Sequence, residues 1–148
     1  MVRVRALDPT EHQIQAAFIQ LVERHKNRYP ALNISFAIVN AQKMMSKANK
    51  PQFLYRYMLA EGFQPGVPDW VLPWPACGYH GLWIEFKASK GSLRPDQRRF
   101  HSWLRLSGHL VEVFRDAELA FDLVRRYLNG QIKRPAEAGP QVTSVSSS

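Results

Sequence analysis

The sequence predicts an α/β fold, a mixed central β-sheet flanked by helices, and three observations predict it. Two short apolar runs, Asp69-Trp70-Val71-Leu72 and Leu82-Trp83-Ile84-Glu85-Phe86, have strand length and are separated by a loop rich in Pro and Gly. From Leu82 to Phe114 a strand, a helix of about a dozen residues and a second strand follow one another, the order of a βαβ unit with parallel strands and a right-handed crossover. Apolar residues recur at helical spacing from Ile14 to Val22 and from Leu119 to Leu128. At 148 residues there is room for one hydrophobic core. We assign it to residues 1–129, with a disordered tail over 130–148.

Composition narrows the function. The apolar fraction of 45% is ordinary, but a formal charge of +8 and a pI near 10.0 favour a polyanionic partner, most simply nucleic acid. A basic surface kept for solubility is the plainer alternative. The single cysteine, Cys77, excludes an internal disulfide framework and fits a reducing, cytoplasmic setting. No apolar run approaches the roughly 18 residues of a membrane span, and Met1-Val2-Arg3-Val4-Arg5 lacks the apolar stretch of a signal peptide.

Asp8-Pro9-Thr10-Glu11 reads as a helix start, with Asp8 as N-cap, Pro9 as first helical residue and Glu11 closing a capping box. Ile14, Ala17, Phe18, Leu21 and Val22 supply its buried stripe, Arg24, Lys26 and Arg28 stay exposed, and Pro30 ends the pattern. Ile34 to Asn40 is rich enough in β-branched and aromatic residues to be the first strand. Ala41 to Pro51 carries Lys43, Lys47 and Lys50 without clear periodicity and reads as a mobile basic loop, either a solvated surface or a set of phosphate contacts. Gln52 to Glu61 looks helical, with Phe53, Leu54, Tyr57 and Met58 inward and Arg56 outward.

The loop Pro73 to His80 has aromatics that either cover the end of the core or stack on unpaired bases. The five histidines show no metal-ligand spacing and read as structural or surface residues. Pro95 suits a first helical position and Asp96 the positive end of that helix. Phe100, Trp103 and Leu104 form its inward face, Arg98, Arg99 and Arg105 add charge, and Gly108 stops it. His109 to Phe114 is a strand, and Asp116 caps a last helix buried through Leu119, Ala120, Leu123, Val124, Tyr127 and Leu128. Past Gly130, Pro, Ala, Ser and Gln dominate, with Lys133 and Arg134 as weak DNA contacts.

Charge stands where a buried strand should carry none. Side chains alternate along a strand, so Leu82, Ile84 and Phe86 face the core while Trp83, Glu85 and Lys87 share the other face. Glu85 and Lys87 then lie roughly 7 Å apart along the strand, and pairing of the two runs brings Asp69 close to Glu85. Two carboxylates hold a hard divalent cation such as Mg²⁺ through oxygen. Such an ion polarises a phosphate and lowers the pKa of a bound water. The lysine orients the attacking water and offsets the growing charge. Gly66 and Pro68 either hold Asp69 rigidly or simply turn the chain into a strand. Glu11 either caps its own helix or reaches this site, and Gln97, at the third helical position, reads as a cap.

Asp69 followed by Glu85-x-Lys87 resembles the active-site pattern of the PD-(D/E)XK nuclease superfamily. The wider run, Gly66-x-Pro68-Asp69, Gly81-Leu82-Trp83-Ile84-Glu85-Phe86-Lys87 and Gly91-x-Leu93-x-Pro95-x-Gln97, is similar to the VRR-NUC family of virus-type replication-repair nucleases, over about residues 10 to 128. The resemblance implies a restriction-endonuclease-like core and a DNA endonuclease dependent on Mg²⁺ or Mn²⁺. It implies Asp69, Glu85 and the backbone carbonyl of Phe86 as metal ligands, with Lys87 positioning or activating water. It also implies that Glu11 joins the metal site and that Gln97 supports it, since the family carries a glutamate and a glutamine at these places. Where the family more often has Ser or Thr before the helix proline, this chain has Arg94, a poorer cap placed instead to touch a phosphate.

Lys43, Lys47, Lys50, Arg56, Lys90, Arg94, Arg98 and Arg99 are the candidates for holding the DNA backbone, a binding mode that weakens steeply with salt. Stand-alone members, common in bacterial viruses, resemble Holliday-junction resolvases and act as homodimers. The resemblance therefore implies branched DNA as substrate and a second copy as partner. The alternatives are the same chemistry on flaps, nicks or linear duplex, an RNA-processing endonuclease, and a non-catalytic DNA-binding module. The intact Asp69, Glu85 and Lys87 speak against the last.

Overall fold

The computed structural model describes residues 7–39 and 41–135, and of Gln42 and Lys43 the backbone alone. Its first helix, α1 (Glu11–His25), starts at Thr10 and not at Asp8. Thr10 Oγ1 accepts from the Gln13 amide at 3.2 Å, and Gln13 Oε1 accepts from the Thr10 amide at 2.9 Å. This reciprocal Thr-x-x-Gln box satisfies two otherwise orphaned amides, and Asp8 instead accepts from Ser89 Oγ at 3.1 Å. Glu11 is therefore released from capping. Ile14, Phe18 and Val22 are buried, Leu21 is half-buried and Ala17 is exposed.

The expected strand over 34–40 shrinks to β1 (Phe36–Ala37), an edge strand with both residues exposed. Pro30, with φ preset for a tight turn, opens a 3-10 helix that takes up Ile34, and Ser35 closes it by bonding Leu32 O through both its amide and its Oγ. Asn40 lies outside the described residues. The basic stretch contains a short helix, α2 (Ala41–Met45), before its turns. Next, α3 (Pro51–Ala60) buries none of its residues, and the expected inward Phe53 and Tyr57 are 60% and 62% exposed. Its chief neighbour is α2, so α3 has no sheet surface into which an apolar stripe could pack.

The sheet has the order β1-β2-β3-β4, with β2 (Trp70–Leu72) antiparallel to β1 and to β3 (Leu82–Phe86), and β3 parallel to β4 (Leu110–Phe114). The β3 to β4 crossover runs through α4 (Pro95–Leu106), the βαβ unit read from the sequence. α1 and α5 (Ala117–Leu128) cover one face, where Phe18 packs on Trp70 and Phe86 at ring separations of 4.9 and 5.1 Å. The other face, bearing Glu85 and Lys87, meets α4.

Two inward assignments on these helices change. Gln97 and His101 are the buried residues of α4, while Trp103 is 65% exposed. At about 100° per residue, Trp103 stands roughly 120° around the helix from Gln97, so pinning Gln97 inward turns the tryptophan out. In α5, Asp116 Oδ1 caps the Leu119 amide at 2.9 Å, as expected, but the Leu119 side chain is exposed and Phe121 is buried. Leu119 lies about 140° from Val124, the centre of the buried stripe.

Tyr127 ties α5 to the β2–β3 loop: its hydroxyl donates to Trp74 O at 2.6 Å and accepts from the Ala76 amide at 3.2 Å. The chain past Gly130 begins on the body and not as a tail. Ile132 packs on the core, and Arg134 lies over the Tyr79 ring and donates to Gly78 O at 2.7 Å. Arg134 remains exposed while making these contacts; residues 136–148 lie outside those described. Among the described residues no helix is long and apolar enough to cross a membrane.

Candidate active site

The register that pairs Trp70 with Ile84 carries on to set Asp69 across from Glu85. Asp69 Oδ2 accepts from the backbone amide of Phe86 at 2.8 Å, so its carboxylate is held by the neighbouring strand. Glu85 and Lys87 are 2% and 6% exposed. Lys87 Nζ lies 3.1 Å from Glu85 Oε1 and 3.9 Å from Glu11 Oε1. A buried ion pair costs desolvation, which good hydrogen bonding must offset, and Gln97 Nε2 supplies it by donating to Glu85 Oε1 at 2.8 Å.

Gln97 does both things the sequence offered it. Its Oε1 accepts the Arg94 amide at 3.0 Å, closing the first turn of α4, while its Nε2 reaches Glu85. The orientation is forced, because a backbone N–H can only donate. The Arg94 guanidinium pairs with Asp96 at 3.2 and 3.3 Å, and these hydrogen bonds hold the Asp96 carboxyl below its ordinary pKa.

Gly66 joins the two halves of the site. It has φ +90°, and a Cβ there would lie 2.6 Å from Asp96 O and 3.0 Å from the Gln97 amide. Only glycine lets the segment before Asp69 run against the start of α4. The cleft that results, of about 320 Å³, is lined by Asp69, Gln97, Arg94 and Gly66 and walled on its far side by Tyr55 and Gln52 of α3. This explains a helix with no buried residue: it is a wall of the cleft.

The structure thus brings Asp69, Glu85, Lys87 and Gln97 together, with Glu11 beside the lysine. Glu11 lies beside the site through Lys87, 3.9 Å from its ammonium, and among the described residues no three His, Cys, Asp or Glu side chains already gather into a metal-binding group. Of the basic candidates, Arg94 lines the cleft, and Lys47, Lys50, Arg56, Lys90, Arg98 and Arg99 are exposed elsewhere. The Lys43 side chain lies outside the described ones.

Arg115 escaped the sequence reading, and His101 was read with the other histidines as a structural or surface residue. Arg115 donates through Nη1 to Ala88 O, and the parallel register pairing Phe86 with Phe114 sets it beside Lys87. His101 is fully buried, with Nε2 3.8 Å from Glu85 Oε2. Its signal was its place four residues after Gln97, on the same helical face.

The carboxylates of Asp69 and Glu85 offer oxygen donors, the kind that Mg²⁺ or Mn²⁺ takes. Glu85 Oε2 is buried and has no hydrogen-bond partner among the described residues, so an acceptor remains for a cation. Residues 9–117 match the VRR-NUC domain family. A solved structure described as a VRR_NUC domain protein has the same fold, with a TM-score of 0.65 and 18% identity over 87% of this chain and 99% of its own. No curated protein matches the sequence.

Proposed function

The chain belongs to the VRR-NUC domain family, a nuclease domain of the PD-(D/E)XK type, and from that premise we propose that it is a metal-dependent endonuclease acting on branched DNA, with residues 1–129 as the nuclease unit. The observation that carries the reading is the buried Glu85, held by Gln97 at 2.8 Å and Lys87 at 3.1 Å with Asp69 across from it in the sheet.

Asp69, Glu85 and the Phe86 carbonyl would hold Mg²⁺ or Mn²⁺, and a cation bound there supplies Lewis-acid stabilisation of the charge that builds on the scissile phosphate. Lys87 donates toward the attacking water and opposes the same charge. Glu11, 3.9 Å from the ammonium, aims it. Gln97 holds Glu85 through Oε1 and the Phe86 amide holds Asp69 through Oδ2, so both carboxylates are partly positioned before substrate arrives. Low exposure strengthens each of these interactions by keeping bulk water away. In the cleft, Arg94 exchanges Asp96 for a backbone phosphate. A second copy as partner follows from the family resemblance alone, and a two-fold pair would present two such sites to the two strands of a branched substrate.

Cleavage of an end-labelled four-way junction and matched linear duplex tests the reading, with Mg²⁺, Mn²⁺ or chelator, for wild type, Asp69→Asn and Lys87→Ala. The expected result is metal-dependent cutting of the junction alone, lost in both variants. Equal cutting of linear duplex moves the substrate to general or flap DNA, and binding without cutting by wild type removes the enzymatic reading.

A further inference from the structure

The buried group that the proposed chemistry leaves unused is His101. It is 0% exposed, and among the described residues neither ring nitrogen has a hydrogen-bond partner. Facing it, 3.8 Å from Nε2, is Glu85 Oε2, also buried and also without a partner. Complementary polar atoms sealed in the interior close to one another and left unsatisfied are costly to keep. An imidazole always carries an N–H to offer and a carboxylate only accepts.

We infer that His101 is a positioning residue for Glu85, its ring N–H serving as the donor for Oε2. The inference rests on the nuclease reading above. Gln97 and Lys87 both act on Oε1 and leave the carboxylate free to pivot about that oxygen. A donor on Oε2 sets the plane of the group. Each carboxylate oxygen accepts more than one partner, so an N–H on Oε2 does not displace a cation. The pair stands about 0.9 Å beyond a normal N–H···O length, and the inference requires that Glu85 pivot about Oε1 to close it. Gln97 and His101 are four residues apart on α4, so one rigid element carries a donor for each oxygen. His101 acts on cation and phosphate through Glu85 alone.

The experiment compares His101→Leu, which fills the space without a donor, with His101→Gln, which restores one. Mn²⁺ affinity is measured by electron paramagnetic resonance without DNA, with Asp69→Asn as control, and melting of the metal-free proteins is recorded alongside. His101→Leu is expected to weaken Mn²⁺ binding by about 10-fold or more while the metal-free protein still melts cooperatively, and His101→Gln to recover most of the affinity. Wild-type affinity in His101→Leu overturns the inference, as does a loss that His101→Gln shares in full. If His101→Leu does not fold, His101→Gln is compared with His101→Met on the same readouts. Absence of Mn²⁺ binding by wild type, or binding that Asp69→Asn leaves intact, overturns the nuclease reading and this inference with it.

Discussion

Gln97 bonds Glu85 with one end of its amide and the start of α4 with the other, at 2.8 and 3.0 Å. One side chain thereby couples the origin of a helix to the orientation of a buried carboxylate. Gln97→Ala loses both bonds and is expected to cost about 1–3 kcal/mol of stability, together with a fall of about 10-fold or more in cleavage rate. Gln97→Glu keeps the capping oxygen but sets a second carboxylate against Glu85. Because two buried carboxylates repel, it should melt below wild type despite the retained cap, and it should cut worse than Gln97→Ala. Thermal melts and single-turnover cleavage on the three proteins separate the two roles.

Gly66 and Gly62 have nearly the same backbone, φ +90° and +92°, but opposite surroundings. Around Gly62 nothing lies within 4 Å, so Gly62→Ala carries only the left-handed penalty of about 1–2 kcal/mol. Gly66→Ala adds a collision with the Asp96 and Gln97 backbone and parts Asp69 from Gln97. It should cost clearly more stability and remove cleavage, whereas Gly62→Ala should cut normally. Chemical denaturation and a cleavage assay check both variants.

Tyr127 titrates in a window that can be seen directly. Burial pushes its hydroxyl pKa from 10 up to about 12. The folded state therefore keeps a proton that the unfolded chain has released. Its contribution to stability is full below pH 10 and is lost as pH rises from 10 through 12. Wild type should lose stability across that range in urea titrations. Tyr127→Phe should flatten this limb while being less stable at neutral pH, because Trp74 O and the Ala76 amide lose their partner.

Arg94 lines the cleft and pairs with Asp96. If DNA takes its guanidinium, Arg94→Ala should weaken binding to all sequences alike and make the slope of log K against log salt shallower by about 0.9. Arg134→Ala, removing a residue held by Gly78 and Tyr79, should leave that slope unchanged. Fluorescence anisotropy at several salt concentrations measures both.

The strands of the site were legible because period and register are local: Leu82, Ile84 and Phe86 alternate with Glu85 and Lys87, and the pairing that follows brings Asp69 opposite Glu85. Gly108 and Asp116 announced their helix ends for equally local reasons. What misled was competition between near-equal local signals. Asp8 and Thr10 both suit an N-cap, and the choice turned on Gln13. Phe53, Tyr57 and Trp103 carry apolar weight, but burial depends on which neighbour is there, and α3 meets mainly α2. His101 was passed over because a lone histidine has no spacing to announce it, and its meaning comes from Glu85, sixteen positions away on another element.

The bond from the Phe86 amide to Asp69 ties reactivity to correct assembly. A slip of β2 by one residue would turn Trp70 out of the core and carry Asp69 to the opposite face of the sheet. A chain caught in that state would have no pair of carboxylates with which to cut. If the chain cuts DNA as proposed, that power arrives only with the finished fold, because a misregistered sheet lacks the paired carboxylates.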